Sequence, residues 1–219
     1  YYACISQIDY NLGILFARMR ELNLLESTWI IFTSDHGDML GDHHMGAKSL
    51  FLEGSAHIPM IIKPPAEFGR SHVRYSGIRC DKLVTLVDVM PTILSICGIK
   101  CDERLHGVNL LEYIENKRDR TFYGNCANTY FAVMDKGWKY TWTAAGGSEL
   151  MFNLDNDPYE RHNLSDMAEY TGLKKQLREI MTNEMKNGEP IVRACFKSSR
   201  EVPRFPGFNT TLFPRDSFH

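Results

Sequence analysis

Several things are missing from this 219-residue sequence, and each absence excludes something. No apolar run approaches the roughly 20 residues of a membrane-spanning helix; the longest are about strand length. Neither sign of charge is in excess. Lys and Arg number 25 against 27 Asp and Glu, a net charge of −2, so there is no electrostatic case for nucleic acid or for an acidic membrane surface. The six cysteines (Cys4, Cys80, Cys97, Cys101, Cys126 and Cys195) include no Cys-x-x-Cys pair. Cys97 and Cys101 are four apart, but no second pair follows at zinc-ribbon spacing. They read as buried, reduced thiols, with a Cys97–Cys101 disulfide left open. Low-complexity segments and internal repeats are also lacking. What remains is 43% hydrophobic and 24% charged, an ordinary globular composition with room for a sizeable core and one or two domains. There is no initiator Met and no signal peptide before Tyr1, and the first residues read as the middle of a helix. The expectation is therefore a larger polypeptide that has lost its N-terminal part, together with any targeting signal, so compartment is not readable.

The stretch Thr33-Ser34-Asp35-His36-Gly37-Asp38-Met39-Leu40-Gly41-Asp42-His43-His44-Met45-Gly46-Ala47-Lys48 organises the rest. It lies between two short apolar runs, Trp29–Phe32 and Ile58–Ile62, which read as buried strands. Adjacent acid and imidazole side chains at a strand's carboxyl end mark an active-site loop on an α/β sheet. A merely solvated turn would be polar too, but has no need of Asp35 and His36 side by side there. Gly37 permits a sharp turn directly after them, and the Gly-rich loop can fold Lys48 back.

Along the chain, Ile5, Ile8, Leu12, Leu15, Met19 and Leu22 recur at three- and four-residue spacing, the stripe of an amphipathic helix over 2–24. Helix followed by strand at 28–33 is half of a doubly wound unit. His57 reads as a structural or capping group. Residues 66–79 read as loop. Asp88 reads as a helix N-cap, with Pro91 in the first turn and Gly98 as the stop. Charge concentrates at Asn116–Arg120, where a boundary is placed: 1–118 as the α/β part, 119–187 as a small antiparallel sheet plus helix, 188–219 as an extended Pro/Phe-rich tail. Strands are expected at Thr121–Tyr123, Tyr130–Met134, Trp138–Thr143 and Glu149–Leu154, joined as a meander. A helix over 166–187 should present Leu173, Leu177, Ile180, Met181 and Met185 to that sheet. Tyr130, Phe131, Trp138 and Trp142 read as core of the small sheet rather than as a sugar platform. His106 is a candidate pocket residue, and His72 and His162 read as surface groups.

At Ile31-Phe32-Thr33-Ser34-Asp35-His36-Gly37, with Leu40-Gly41-Asp42-His43 and Lys48, the chain resembles the arylsulfatase-like sulfatase family of the alkaline phosphatase superfamily. Tyr1-Tyr2-Ala3 with Ile8-Asp9 and Leu12-Gly13, then Leu86-Val87-Asp88-Val89-Met90-Pro91-Thr92, then Phe152-Asn153-Leu154 through Asp157-Pro158-Tyr159-Glu160 to Asn163-Leu164, agree in order with further family motifs. The likeness spans about 1–187. It implies an α/β fold, the C-terminal part of an alkaline-phosphatase-like sandwich, followed by a small antiparallel sheet with a packed helix. No Cys or Ser in the sequence is followed by Pro-x-Arg at the family's spacing, so the motif converted to the nucleophilic formylglycine is absent, as are the upstream Asp pair and histidines. The isolated chain is therefore expected to be inactive.

The resemblance implies that Asp35 and His36 are metal ligands, that Lys48 is a catalytic and substrate-binding group on a sulfate oxygen, and that the formylglycine hydrate attacks sulfur. It implies Ca²⁺, a cation of oxygen ligands; an imidazole ligand also suits Zn²⁺ or Mn²⁺, and Mg²⁺ stays open. His43 is a candidate beside the substrate. The partners implied are a sulfated small molecule or glycan and the missing N-terminal half, and the family is often exported, periplasmic or lysosomal. Two other readings stand beside it: a metal-dependent phosphodiesterase or phosphonate monoester hydrolase of the same superfamily, and a non-catalytic binding module.

Overall fold

A computed structural model describes residues 1–48, 50–71, 77–100, 105–115, 120–126, 129–134, 137–143 and 147–185. The expected boundary at 118/119, the tail 188–219, His72, Cys101 and Cys195 lie outside them. The chain forms two units, one of residues 1–35 and 58–81, the other of 36–57 and 82–219.

In the first unit, α1 (Tyr2–Glu21) follows the three-four periodicity, and Arg18 and Arg20 close it where cations suit the helix dipole. Strands β1 (Ile30–Thr33) and β2 (Met60–Lys63) pair antiparallel, Ile31 opposite Ile62 and Phe32 opposite Ile61. A doubly wound sheet would set neighbouring strands parallel, and this pair departs from that expectation. The ammonium of Lys63 donates to the carbonyl of Leu25, Ala66 N donates to Glu26 O at 2.8 Å, and the Trp29 and Phe68 rings meet at a tilt with centroids 4.7 Å apart. Phe68 belongs to α3 (Ala66–Ser71), a helix in the stretch expected to be loop. The apolar stripe is not buried: α1 has no buried residue, and Ile8 is 54% exposed. The strands are half-buried rather than buried, with the facing pair Phe32 and Ile61 open to solvent.

In the second unit, α4 (Val89–Ile96) begins as expected near Asp88 and ends before Gly98, whose φ of +68° suits only glycine comfortably. The capping differs. Thr85 and Asp88 form a reciprocal capping box one turn earlier, and the Asp88 carboxylate does more than cap. It is fully buried, accepts from Thr85 N and Val108 N, and holds the Arg120 guanidinium through two bonds of 2.8 and 3.0 Å. Thr92 Oγ1 donates to Asp88 O and accepts from Leu110 N, tying α4 to α5 (Leu110–Tyr113). Strands β3 (Thr121–Cys126), β4 (Thr129–Met134), β5 (Trp138–Thr143) and β6 (Ser148–Asn153) form the expected meander. Helix α6 (Thr171–Met185) lays Leu177 and Met181 on Tyr140, Trp142 and Met151, all buried. Each such apolar side chain contributes roughly 1.5–3 kcal/mol. Trp142 is thus core, as its sequence context suggested. The thiols are not: Cys4, Cys80 and Cys97 are free but exposed, because the helix and loop faces that carry them are open to solvent.

Candidate functional site

The chain leaves β1 through Ser34 and Asp35, enters the second unit at His36, and returns to β2 only at Met60. Asp35 ends the first unit; its Oδ1 lies 3.4 Å from Ser34 Oγ, and the residue is exposed. His36 is half-buried. Its Nδ1 lies 2.8 Å from Gly37 O, and a carbonyl can only accept, so Nδ1 carries the proton. That leaves the lone pair on Nε2, which faces Lys48 Nζ at 2.6 Å. The tautomer is therefore set by the backbone, and the Nε2 lone pair looks at a cation.

The loop that brings Lys48 back twelve residues later is tightly wound. Leu40, Gly41, His43, His44 and Ala47 all have positive φ, between +50° and +99°. Only Gly41 holds such a conformation freely; the others are strained, a pattern that collects at functional sites. Bonds from Met39 N to Ala47 O (2.8 Å) and Gly41 N to Met45 O (2.9 Å) close the loop on itself. Asp38 Oδ1 accepts from Leu40 N, so it serves the turn. His43 sits half-buried in the 3-10 turn Asp42–His44. His106 is exposed, and so is His162, whose backbone N–H is held by Asp157.

Two anchors hold the loop to the small sheet. Met39 and Leu52 are buried with Phe152 of β6. Glu53, the first residue of α2 (Glu53–Ala56), then enters a charged cluster. Its carboxylate takes the buried ammonium of Lys139 on one oxygen and His57 Nδ1, at 2.7 Å, on the other. Lys139 also pairs with Glu160 Oε1 at 2.7 Å, and Glu160 Oε2 accepts from Glu53 N at 2.6 Å. Burial alone would raise the Glu53 pKa, but the bonds from His57 and Lys139 pull it down to about 2. For Glu160 burial wins over Lys139 and holds its pKa above the usual carboxylate range. The bond to Glu53 raises that of His57. These residues escaped the reading of the sequence, apart from Glu160 as a member of a motif and His57 as a structural group. Lys139 gives no signal because four successive residues of β5, Lys139 to Trp142, are buried, which breaks the alternation that marks inward positions.

A divalent cation has two candidate donors here, the Asp35 carboxylate and the His36 Nε2 lone pair, whose present neighbour is itself cationic. That donor chemistry fits part of a metal shell. Among the described residues, no group of three or more His, Cys, Asp or Glu side chains could complete one. Among the described residues, too, no helix is long and apolar enough to cross a membrane.

Residues 1–99 match the family model described as Sulfatase. The chain is 32% identical over 198 residues to an arylsulfatase of Clostridium perfringens, covering 86% of this chain and 40% of that protein. Among solved structures, a phosphonate monoester hydrolase of Agrobacterium radiobacter is similar with TM-score 0.67 and 26% identity, over 89% of this chain and 40% of its own. Another, solved with its substrate D-glucosamine-2-N,6-O-disulfate, is similar with TM-score 0.66 and 23% identity, over 85% and 40%. The chain thus spans about 40% of the length of the relatives named here.

Proposed function

Because the chain belongs to the sulfatase family, with an alkaline-phosphatase-like α/β fold, we propose that it supplies the metal-binding and anion-binding part of an active site that hydrolyses a sulfate monoester. The observation that carries the reading is the 2.6 Å contact of Lys48 Nζ with His36 Nε2, next in sequence to Asp35. A sulfate ester is an anion of hard oxygens, and its transfer needs a cation and directed donors where charge develops. Asp35 and His36 would hold the divalent cation, Ca²⁺ in the first place, with the remaining ligands coming from outside these residues. That cation would supply Lewis-acid polarisation of a sulfate oxygen. His36 offers it a lone pair because Gly37 O keeps the ring proton on Nδ1. Lys48 binds a second sulfate oxygen as a point charge, its place set by the wound loop. His43 lies on that loop and would face the ester side of the substrate. The nucleophile is not among these residues, since the sequence holds no Cys or Ser in the formylglycine motif. A sulfated small molecule or glycan is the substrate class, motivated by the disulfated glucosamine bound to one structural neighbour.

The test is turnover of an aryl sulfate by the complete protein carrying this chain. Lys48→Ala should lower kcat by about 10²–10³, the usual effect of removing one charge-stabilising donor. Unchanged turnover would remove Lys48 from the mechanism. The similarity to a phosphonate monoester hydrolase supports a second reading, and faster turnover of an aryl phosphonate monoester than of the sulfate would select it.

A further inference from the structure

We propose that Glu53, Lys139 and Glu160 form a buried charge clamp whose work is to position His36 and Lys48; the inference rests on the active-site reading above.

Lys139 and Glu160 have side chains only 3% and 1% exposed, on β5 and on the turn after Asp157-Pro158. Both reach Glu53, which lies 86 residues before Lys139 and 107 before Glu160 in sequence. Cohesion does not explain this choice. Well-packed apolar side chains of the same volume usually hold a fold as well as a buried ion pair, or better. Charge gives direction instead. Glu160 fixes Glu53 twice, by accepting from its backbone N–H and by sharing its lysine. Glu160 itself sits at φ +54°, a left-handed conformation that a glutamate adopts at a cost. Backbone strain is thus spent on aiming one carboxylate.

The clamp is one short step from the site. Glu53 opens α2, whose next residues are Gly54 and Ser55. Gly37 N donates to Ser55 O at 2.8 Å, and Gly37 packs so closely that an added Cβ would lie 2.2 Å from Gly54 O. Gly37 O in turn holds the His36 ring. Shifting α2 therefore turns the imidazole whose Nε2 meets Lys48. Leu52, beside Glu53, packs with Met39, and Met39 N bonds Ala47 O, the residue before Lys48. Both arms of the loop are thereby referred to the same clamp.

The experiment follows the ring of His36 by ¹⁵N NMR, with histidine alone labelled, in the complete protein carrying this chain at about pH 8.5, where an ordinary imidazole is neutral. The unaltered protein should show the Nδ1–H tautomer. Glu160→Gln keeps the volume and removes the charge; Lys139→Met removes the cation. The expected result is a His36 ring drifting toward the tautomer mixture of a free imidazole while the sheet stays folded by far-UV circular dichroism. A lower melting temperature with an unchanged His36 tautomer would overturn the proposal, leaving the cluster as stabilisation alone. Should neither variant fold, amide exchange in the unaltered protein decides. Glu53 N–H and Gly37 N–H should open together, within about threefold, and Gly37 exchanging orders of magnitude faster would also overturn it. None of these readouts involves sulfate, so failure of the clamp leaves the Lys48→Ala turnover test intact, and the reverse holds too.

Discussion

Replacing Gly37 by alanine adds a single methyl group at the point where the site loop meets α2. The Cβ would stand 2.2 Å from Gly54 O, 3.2 Å from Gly54 C and 3.5 Å from Ser55 O. Since non-bonded carbon contacts settle near 3.5 Å, the two backbones must part by about 1 Å. Both are main chain, so no side-chain rotation relieves the clash. Overpacking of this kind costs about 1–3 kcal/mol. Parting the loop from α2 also stretches the 2.8 Å bond from Gly37 N to Ser55 O, worth about 1 kcal/mol. The expected loss is therefore about 2–4 kcal/mol, or a melting temperature lower by roughly 5–15 °C for a chain of this size. Urea denaturation at fixed pH measures it. The control is Gly13→Ala in α1, where nothing lies within 4 Å of the new methyl. There alanine should gain up to about 1 kcal/mol from helix propensity alone. If Gly37→Ala falls within about 0.5 kcal/mol of the parent, the close approach is wrong, and with it the path from the clamp to His36.

Two further predictions concern charge. Asp88→Asn leaves the half-buried Arg120 guanidinium against a buried neutral amide; the loss should be about 3–5 kcal/mol in the same urea assay, and a loss below about 1 would mean that the pair is solvated. The His57–Glu53 pair gives a signed pH dependence. His57 has its pKa raised in the folded state, so its contribution is complete below the unfolded value of 6.5 and disappears as pH rises through the folded one. Because its side chain is 76% exposed, the effect should stay below about 1 kcal/mol. Glu53, held down at about 2, works in the opposite window: its contribution is present above 4.5 and lost as pH falls from there toward 2. Stability profiles of the parent and His57→Gln should differ below neutral pH and converge in alkali, and parallel curves throughout would remove His57 from the cluster.

The sequence declared its elements where one physical signal dominated. The spacing of Leu177 and Met181 predicted the packed face of α6, and Trp138–Thr143 matched β5 to the residue. Asp35, His36 and Lys48 stood out because acid, imidazole and amine side chains gather after a strand, and the structure joins His36 to Lys48. Periodicity, however, says which face of a helix is apolar and not whether anything covers it. That is why α1 and the Phe32–Ile61 pair were expected to be buried and are exposed. Asp88 was legible in part: it stands at the N-cap position of α4, as an acid before a proline suggests, but nothing local announces a bidentate arginine 32 residues later. The Glu53–Lys139–Glu160 cluster was illegible on both counts, being assembled from three distant segments and placed on a strand whose burial does not alternate.

Glu160 carries a consequence for how this chain can vary. Its position makes two demands that no residue meets together. The left-handed backbone favours glycine, or asparagine as a compromise, while the buried ammonium of Lys139 requires a carboxylate with the reach of glutamate. Easing the backbone leaves the buried lysine with Glu53 alone; keeping the acid retains the strain. A single substitution at either residue is thus expected to lower stability, and Glu53, which shares the same lysine, ties a third position to these two. The aspartate-proline-x-glutamate segment, the start of α2 and the middle of β5 are, in that sense, one unit written in three places.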